Sequence, residues 1–79
     1  MTAKIFVTLK QGVLDPQGQA AARSLVRLGF DEVKDARIGK YIEVKLAGSR
    51  ADAAARVEKM CNELLANTVI EDYRFELVD

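Results

Sequence analysis

Histidine and tryptophan are absent from this 79-residue chain, and cysteine and proline occur once each. Without histidine there is no Ser-His-Asp or Cys-His relay and no His-containing metal site. A single cysteine, Cys61, excludes an internal disulfide and a Cys-rich zinc knuckle. An excess of one charge is also missing: 12 Lys+Arg stand against 12 Asp+Glu, a formal net charge of zero. Nucleic-acid binders carry a basic surplus, so no nucleic-acid partner is expected. A near-neutral small protein is instead prone to association. No apolar run approaches the ~20 residues of a membrane span. The start, Met1-Thr2-Ala3-Lys4, passes into a strand-like pattern with no apolar leader. A cytoplasmic location without a membrane partner is the expectation. One domain, residues 1–79, is the most this length supports, and a chain this short buries only about 60% of its unfolded surface. Covering part of its core with a second surface would stabilise it.

What is present is hydrophobic periodicity. Ile5, Val7 and Leu9 alternate with Lys4, Phe6 and Thr8, a strand period. After the loop Lys10-Gln11-Gly12-Val13-Leu14, Asp15-Pro16 signals a helix start, Asp15 as N-cap and Pro16 at N1, where its missing N–H costs nothing. Gly18, Ala21, Ala22, Leu25 and Leu28 share one face of that helix, and Gly29 ends it. Residues 31–38 and 41–47 read as strands joined by a type II′ hairpin at Gly39-Lys40. The second has Ile42, Val44 and Leu46 inward; the first has no clear phase, and a bulge is expected there. Ser49 caps a second helix, with Asp52 at N3. Its apolar stripe is Ala54, Val57, Cys61, Leu64 and Leu65, flanked by Ala53 and Met60. Asn67 is placed at a left-handed C′ position. From Val69 to Val78 the chain alternates again, with Tyr73, Phe75 and Leu77 on one face.

The order β-α-β-β-α-β predicts an α+β, ferredoxin-like fold: a four-stranded antiparallel sheet with two helices on one face. The other sheet face carries Phe6, Thr8, Tyr41 and Val78 among charges. That mixture is too apolar for a fully wetted surface, and it predicts a dimer formed through the sheet.

Chemistry is harder to find. The amides of the first helix, with Lys10 and Gly12 upstream, could hold an anion, but the Asp15 carboxylate already occupies that field. Gly39-Lys40 with Arg37 makes a basic tip, as solvated turn charges or as a contact to an acidic partner. The pairs Asp31-Glu32 and Glu71-Asp72 point to opposite faces of extended chain, so neither is an acid/base couple. Cys61 sits in a helix stripe where a small buried residue is expected. Tyr41 and Tyr73 fit strand packing. No catalytic, cofactor-binding or metal residue is assigned.

Several separated blocks carry a resemblance. They are Val7-Thr8-Leu9-Lys10, Gly12-Val13-Leu14-Asp15-Pro16-Gln17-Gly18, Leu28-Gly29, Arg37 with Gly39-Lys40, and Cys61-Asn62-Glu63-Leu64-Leu65-Ala66-Asn67 running into Val69-Ile70-Glu71-Asp72-Tyr73. Together they resemble the PurS family, the small subunit of phosphoribosylformylglycinamidine (FGAM) synthase. Thr68 departs from it, standing where the family usually has proline. The resemblance implies a non-catalytic subunit of a purine-biosynthetic ligase complex. Such a subunit forms a homodimer or higher homo-oligomer, bridges a glutaminase (PurQ) and an ATP-dependent synthetase (PurL), and assists ammonia transfer as FGAR, glutamine and ATP become FGAM. ATP and Mg would be used by the synthetase, with no cofactor on this chain. The partner contacts it implies are Lys10, Gly12, Arg37, Gly39, Lys40, Asn67, Glu71 and Tyr73, while Asp15, Pro16 and Ser49 serve as helix caps. An ACT-like small-molecule sensor shares the element order and is the alternative. An acylphosphatase-like enzyme would need an arginine in the first loop, which here has only lysine.

Overall fold

Alternating apolar residues place β1 (Thr2–Leu9) at the centre of the molecule, with Ala3, Ile5 and Val7 almost wholly buried. The computed structural model describes residues 1–79. On either side of β1 lie β2 (Lys40–Lys45) and β3 (Glu71–Val78), both antiparallel to it, in the order β2-β1-β3. Helix α2 (Arg50–Met60) crosses one face of this sheet. The Ser49 hydroxyl caps it by accepting the Ala51 N–H at 3.1 Å. Val57 and Cys61, fully buried, cluster with Ala3, Ile5, Val7 and Ala66. Burying a side chain such as Ile5 or Val57 contributes about 1.5–3 kcal/mol each. Around this small centre Ile42, Val44, Leu46, Leu65, Tyr73, Phe75 and Leu77 are only partly covered.

Helix α1 (Pro16–Arg27) begins as its sequence predicts, with Asp15 as N-cap, Pro16 at N1 and Gly29 (φ 106°) beyond its end. It does not lie on the sheet. A strand of eight residues spans about 27 Å and a helix of 12 residues about 18 Å. The molecule is 49 Å long and 14 Å thin, so the two run largely end to end. Its radius of gyration is 15.9 Å, against about 12 Å for a compact chain of this length.

The structure therefore corrects the four-stranded expectation: the sheet has three strands and carries one helix on its face. Residues 33–39 run without strand pairing, because both sides of β1 are already taken by β2 and β3. No II′ hairpin forms at Gly39-Lys40, nor a bulge before it. Gly39 lies against β1, where a Cβ would stand 2.1 Å from the Val7 carbonyl oxygen, and the chain runs directly into β2 at Lys40. Asn67 is not left-handed, since no residue other than glycine has positive φ. Instead α2 continues into a π-helical turn, Cys61–Leu65, closed by the Ala66 N–H donating to the Cys61 carbonyl at 3.0 Å. The wider turn rotates the apolar stripe. Ala66 takes the buried position and Leu64 swings out, 83% exposed. Upstream, Ala53 is buried and Ala54 is not.

Candidate partner-contact site

Strand register brings the sequence-predicted contact residues to one end of the sheet. Val7 pairs with Lys40 on one side and with Tyr73 on the other, and Leu9 pairs with Glu71. Beyond β1, the Lys10 N–H donates to the Ile70 carbonyl at 2.9 Å, and the Lys10 carbonyl accepts the Val13 N–H at 3.1 Å. This turn holds Gly12 at φ 85°, a conformation that side-chain-bearing residues rarely adopt. Asn67 closes the opposite loop: its carbonyl accepts the N–H groups of Ile70 and Glu71, and its side-chain oxygen accepts that of Val69.

Ion pairs stitch the strands at this end. The Lys10 ammonium lies 3.6 Å from Asp72, and the Lys40 ammonium 3.9 Å from Glu71. The other oxygen of Glu71 accepts the Asn67 N–H at 2.7 Å. The Arg37 guanidinium donates to the carbonyls of Leu9 and Lys10. The Lys10–Asp72 pair is exposed, and pairs of that kind contribute only about 0–1 kcal/mol each, so it sets local shape and charge more than stability. Tyr73 is the exception among the expected contacts: it is half-buried on the core face and packs against the central cluster.

Asp15 does more than its sequence position promises. One carboxylate oxygen accepts the Gly18 N–H at 2.9 Å, and the other accepts the Ile38 N–H at 3.0 Å. A single buried side chain thus fastens the helix start to the returning strand-like segment. The Ile38 N–H, then the Gly18 N–H and the nearby Arg37 charge, hold its pKa below the ordinary 3.8, against a smaller opposing effect of burial. Gly18 is required by closeness: a Cβ there would meet the Ala36 carbonyl oxygen at 2.2 Å.

Two features escaped sequence reasoning. Asp72 partners Lys10, which the alternation of β3 opposite Thr8 could have indicated. An apolar rim also flanks this end, with Leu14 65% and Val69 82% exposed. Elsewhere, Arg74 lies 4.0 Å over the Phe6 ring and Tyr41 packs 5.1 Å from it, so the open sheet face is partly covered by its own side chains. No group of three or more His, Cys, Asp or Glu side chains is placed to hold a metal ion, and no helix is long and apolar enough to cross a membrane.

These features define a class: a small α+β chain with paired charges at one sheet end and an amphipathic helix held clear of the body. The chain belongs to the PurS family, described as phosphoribosylformylglycinamidine (FGAM) synthase, whose pattern it matches over residues 2–79. It is 51% identical to the FGAM synthase subunit PurS of Bacillus subtilis over 74 residues, 94% of this chain and 88% of that protein. The corresponding Synechocystis subunit is 52% identical over 75 residues, 94% of this chain and 75% of that one. A crystal structure of B. subtilis PurS superposes with a TM-score of 0.87 at 49% identity, covering 99% of this chain and 98% of that chain. A chain in the structure of PurLQS from Thermotoga maritima does so with a TM-score of 0.85 at 33% identity, covering 98% and 95%.

Proposed function

We propose that this chain is the non-catalytic small subunit of an FGAM synthase assembly in purine biosynthesis. It bridges a glutaminase (PurQ) and an ATP-dependent synthetase (PurL), and assists the passage of ammonia between them as FGAR is converted to FGAM. The supporting observation is the convergence of Lys10, Gly12, Arg37, Gly39, Lys40, Asn67 and Glu71, drawn from three stretches of sequence, on one sheet end. The T. maritima relative in a PurLQS structure supports the same reading. In it the chain is cytoplasmic, pairs with a second copy through its sheet, and binds no cofactor. ATP and Mg are handled by the synthetase subunit.

The test is reconstitution with a glutaminase and a synthetase. Glutamine-dependent FGAM formation should require this chain, whereas ammonia-dependent formation by the synthetase should need it far less. Lys40→Glu should fold normally, since the Lys40 side chain is itself largely exposed, yet weaken co-elution with the larger subunits by about tenfold through charge reversal. Unchanged co-elution of that variant would remove this end from the interface. Glutamine-dependent activity without the chain would overturn the function.

A further inference from the structure

Charge is distributed unevenly over this neutral chain. Lys10, Lys40, Arg50, Lys59 and Arg74 stand in ion pairs, and Arg37 is held by carbonyls. Three of the remaining cations meet in one place. Gly29 (φ 106°) ends α1, and in the turn that follows the Phe30 N–H donates to the Leu25 carbonyl at 3.0 Å and the Val33 N–H to the Phe30 carbonyl at 3.1 Å. The turn brings Val33 and Lys34 back beside the helix, where a groove of about 340 Å³ opens. Ala22, Val26 and Val33 give it an apolar floor, Arg23, Arg27 and Lys34 surround that floor, and no acidic residue lines it.

Folding explains little of this arrangement. Arg27 lies in the last turn of α1, where a cation complements the helix macrodipole. Arg23 stands a turn earlier and Lys34 lies off the helix, so the macrodipole accounts for neither. Asp31, Glu32 and Asp35 are near in sequence, yet none forms an ion pair with these three cations.

A chain that bridges two proteins needs two contact surfaces. The charged sheet end is of mixed sign, Lys10 with Asp72 and Lys40 with Glu71. The groove is of one sign and stands apart from that end. Asp15 fixes the helix start beside Ile38, and at about 1.5 Å per residue Arg23 and Arg27 lie about 12–18 Å further along. Surfaces that differ in charge select different partners.

We propose that this groove docks an acidic, partly apolar segment of one of the two larger subunits, while the sheet end serves the other. Carboxylates of that segment pair with the forked guanidinium groups of Arg23 and Arg27 and with the Lys34 ammonium. Its apolar side chains cover Ala22, Val26 and Val33. This goes beyond the subunit reading above and rests on it.

The test mixes the tagged full chain with glutaminase and synthetase and measures how much of each co-elutes. The double variant Arg23→Glu, Arg27→Glu should lose one of the two by at least about tenfold and keep the other, with helical circular dichroism and the sedimentation of the chain alone unchanged. Arg23→Lys, Arg27→Lys should restore most of the loss. Lys34→Glu, outside any helix or strand, should weaken the same subunit by about threefold, so the test stands even where the double variant unfolds. Binding of the affected subunit should also become less sensitive to salt in the double variant. Loss of both subunits together, or of neither, would overturn the groove as a docking site. Saturable binding of inorganic phosphate that the double variant abolishes, with both subunits retained, would overturn it in favour of a small anion. A wild-type chain that retains neither subunit would overturn the subunit reading itself.

Discussion

Asp15 shows how much one residue can be asked to do. Its capping role was legible from the Asp-Pro pair, because a cap is a local matter settled within four residues. Its second bond was not, since Ile38 lies 23 positions away and only the folded chain brings its N–H to the carboxylate. Asp15→Ala should therefore loosen two segments together and lower the melting temperature by about 5–10 °C. Acid gives a sharper check. The folded pKa lies below 3.8, so the carboxylate's stabilisation is fully present above that value and is lost as pH falls through the folded value. The difference in melting temperature between the wild type and Asp15→Asn should hold steady near neutrality and shrink in acid. A difference that widens in acid would mean that the charged form is not the one the fold favours.

Among the elements, those whose signal is internal were read correctly. β1, the part of β2 beyond Lys40, β3 and both helix starts follow from alternation, helical spacing and caps. The segment 31–38 was misread because a strand is a relation between two chain segments, and Val33 and Ile38 carry strand preference without supplying a neighbour. Gly39 was misread for a related reason: glycine serves tight turns and close approaches equally well, and here Val7 decides between them. At the charged sheet end, resemblance singles out Lys10, Arg37, Lys40 and Glu71, whereas Asp72 and the rim of Leu14 and Val69 depend on register and loop path. The π-helical turn left no trace in the pattern beyond an over-wide stripe. It has a testable consequence at Cys61, which it anchors in the core with no exposed surface. Burial, and secondarily the Glu58 carboxylate, push the thiol pKa up. A disulfide reagent should label Cys61 at least about 100-fold more slowly in the native protein than in urea. Comparable rates would mean that the turn from Cys61 to Leu65 opens freely.

At the scale of the whole molecule, the decisive feature is the ratio of length to thickness. A 14 Å slab with seven buried apolar side chains is a small core for 79 residues, and chains of this size ordinarily need some further device to be stable. Disulfide and His-based metal staples are excluded by a single cysteine and no histidine. Association is then the device left open, and it has a thermodynamic signature independent of any particular interface. If two chains fold as one unit, mass action stabilises the folded state as concentration rises. For a two-chain unit of this size, the melting temperature should climb by about 4 °C for each tenfold increase in protein concentration. Scanning calorimetry from micromolar to millimolar chain would measure that slope. A flat line would mean that a single elongated chain sustains itself on its small core.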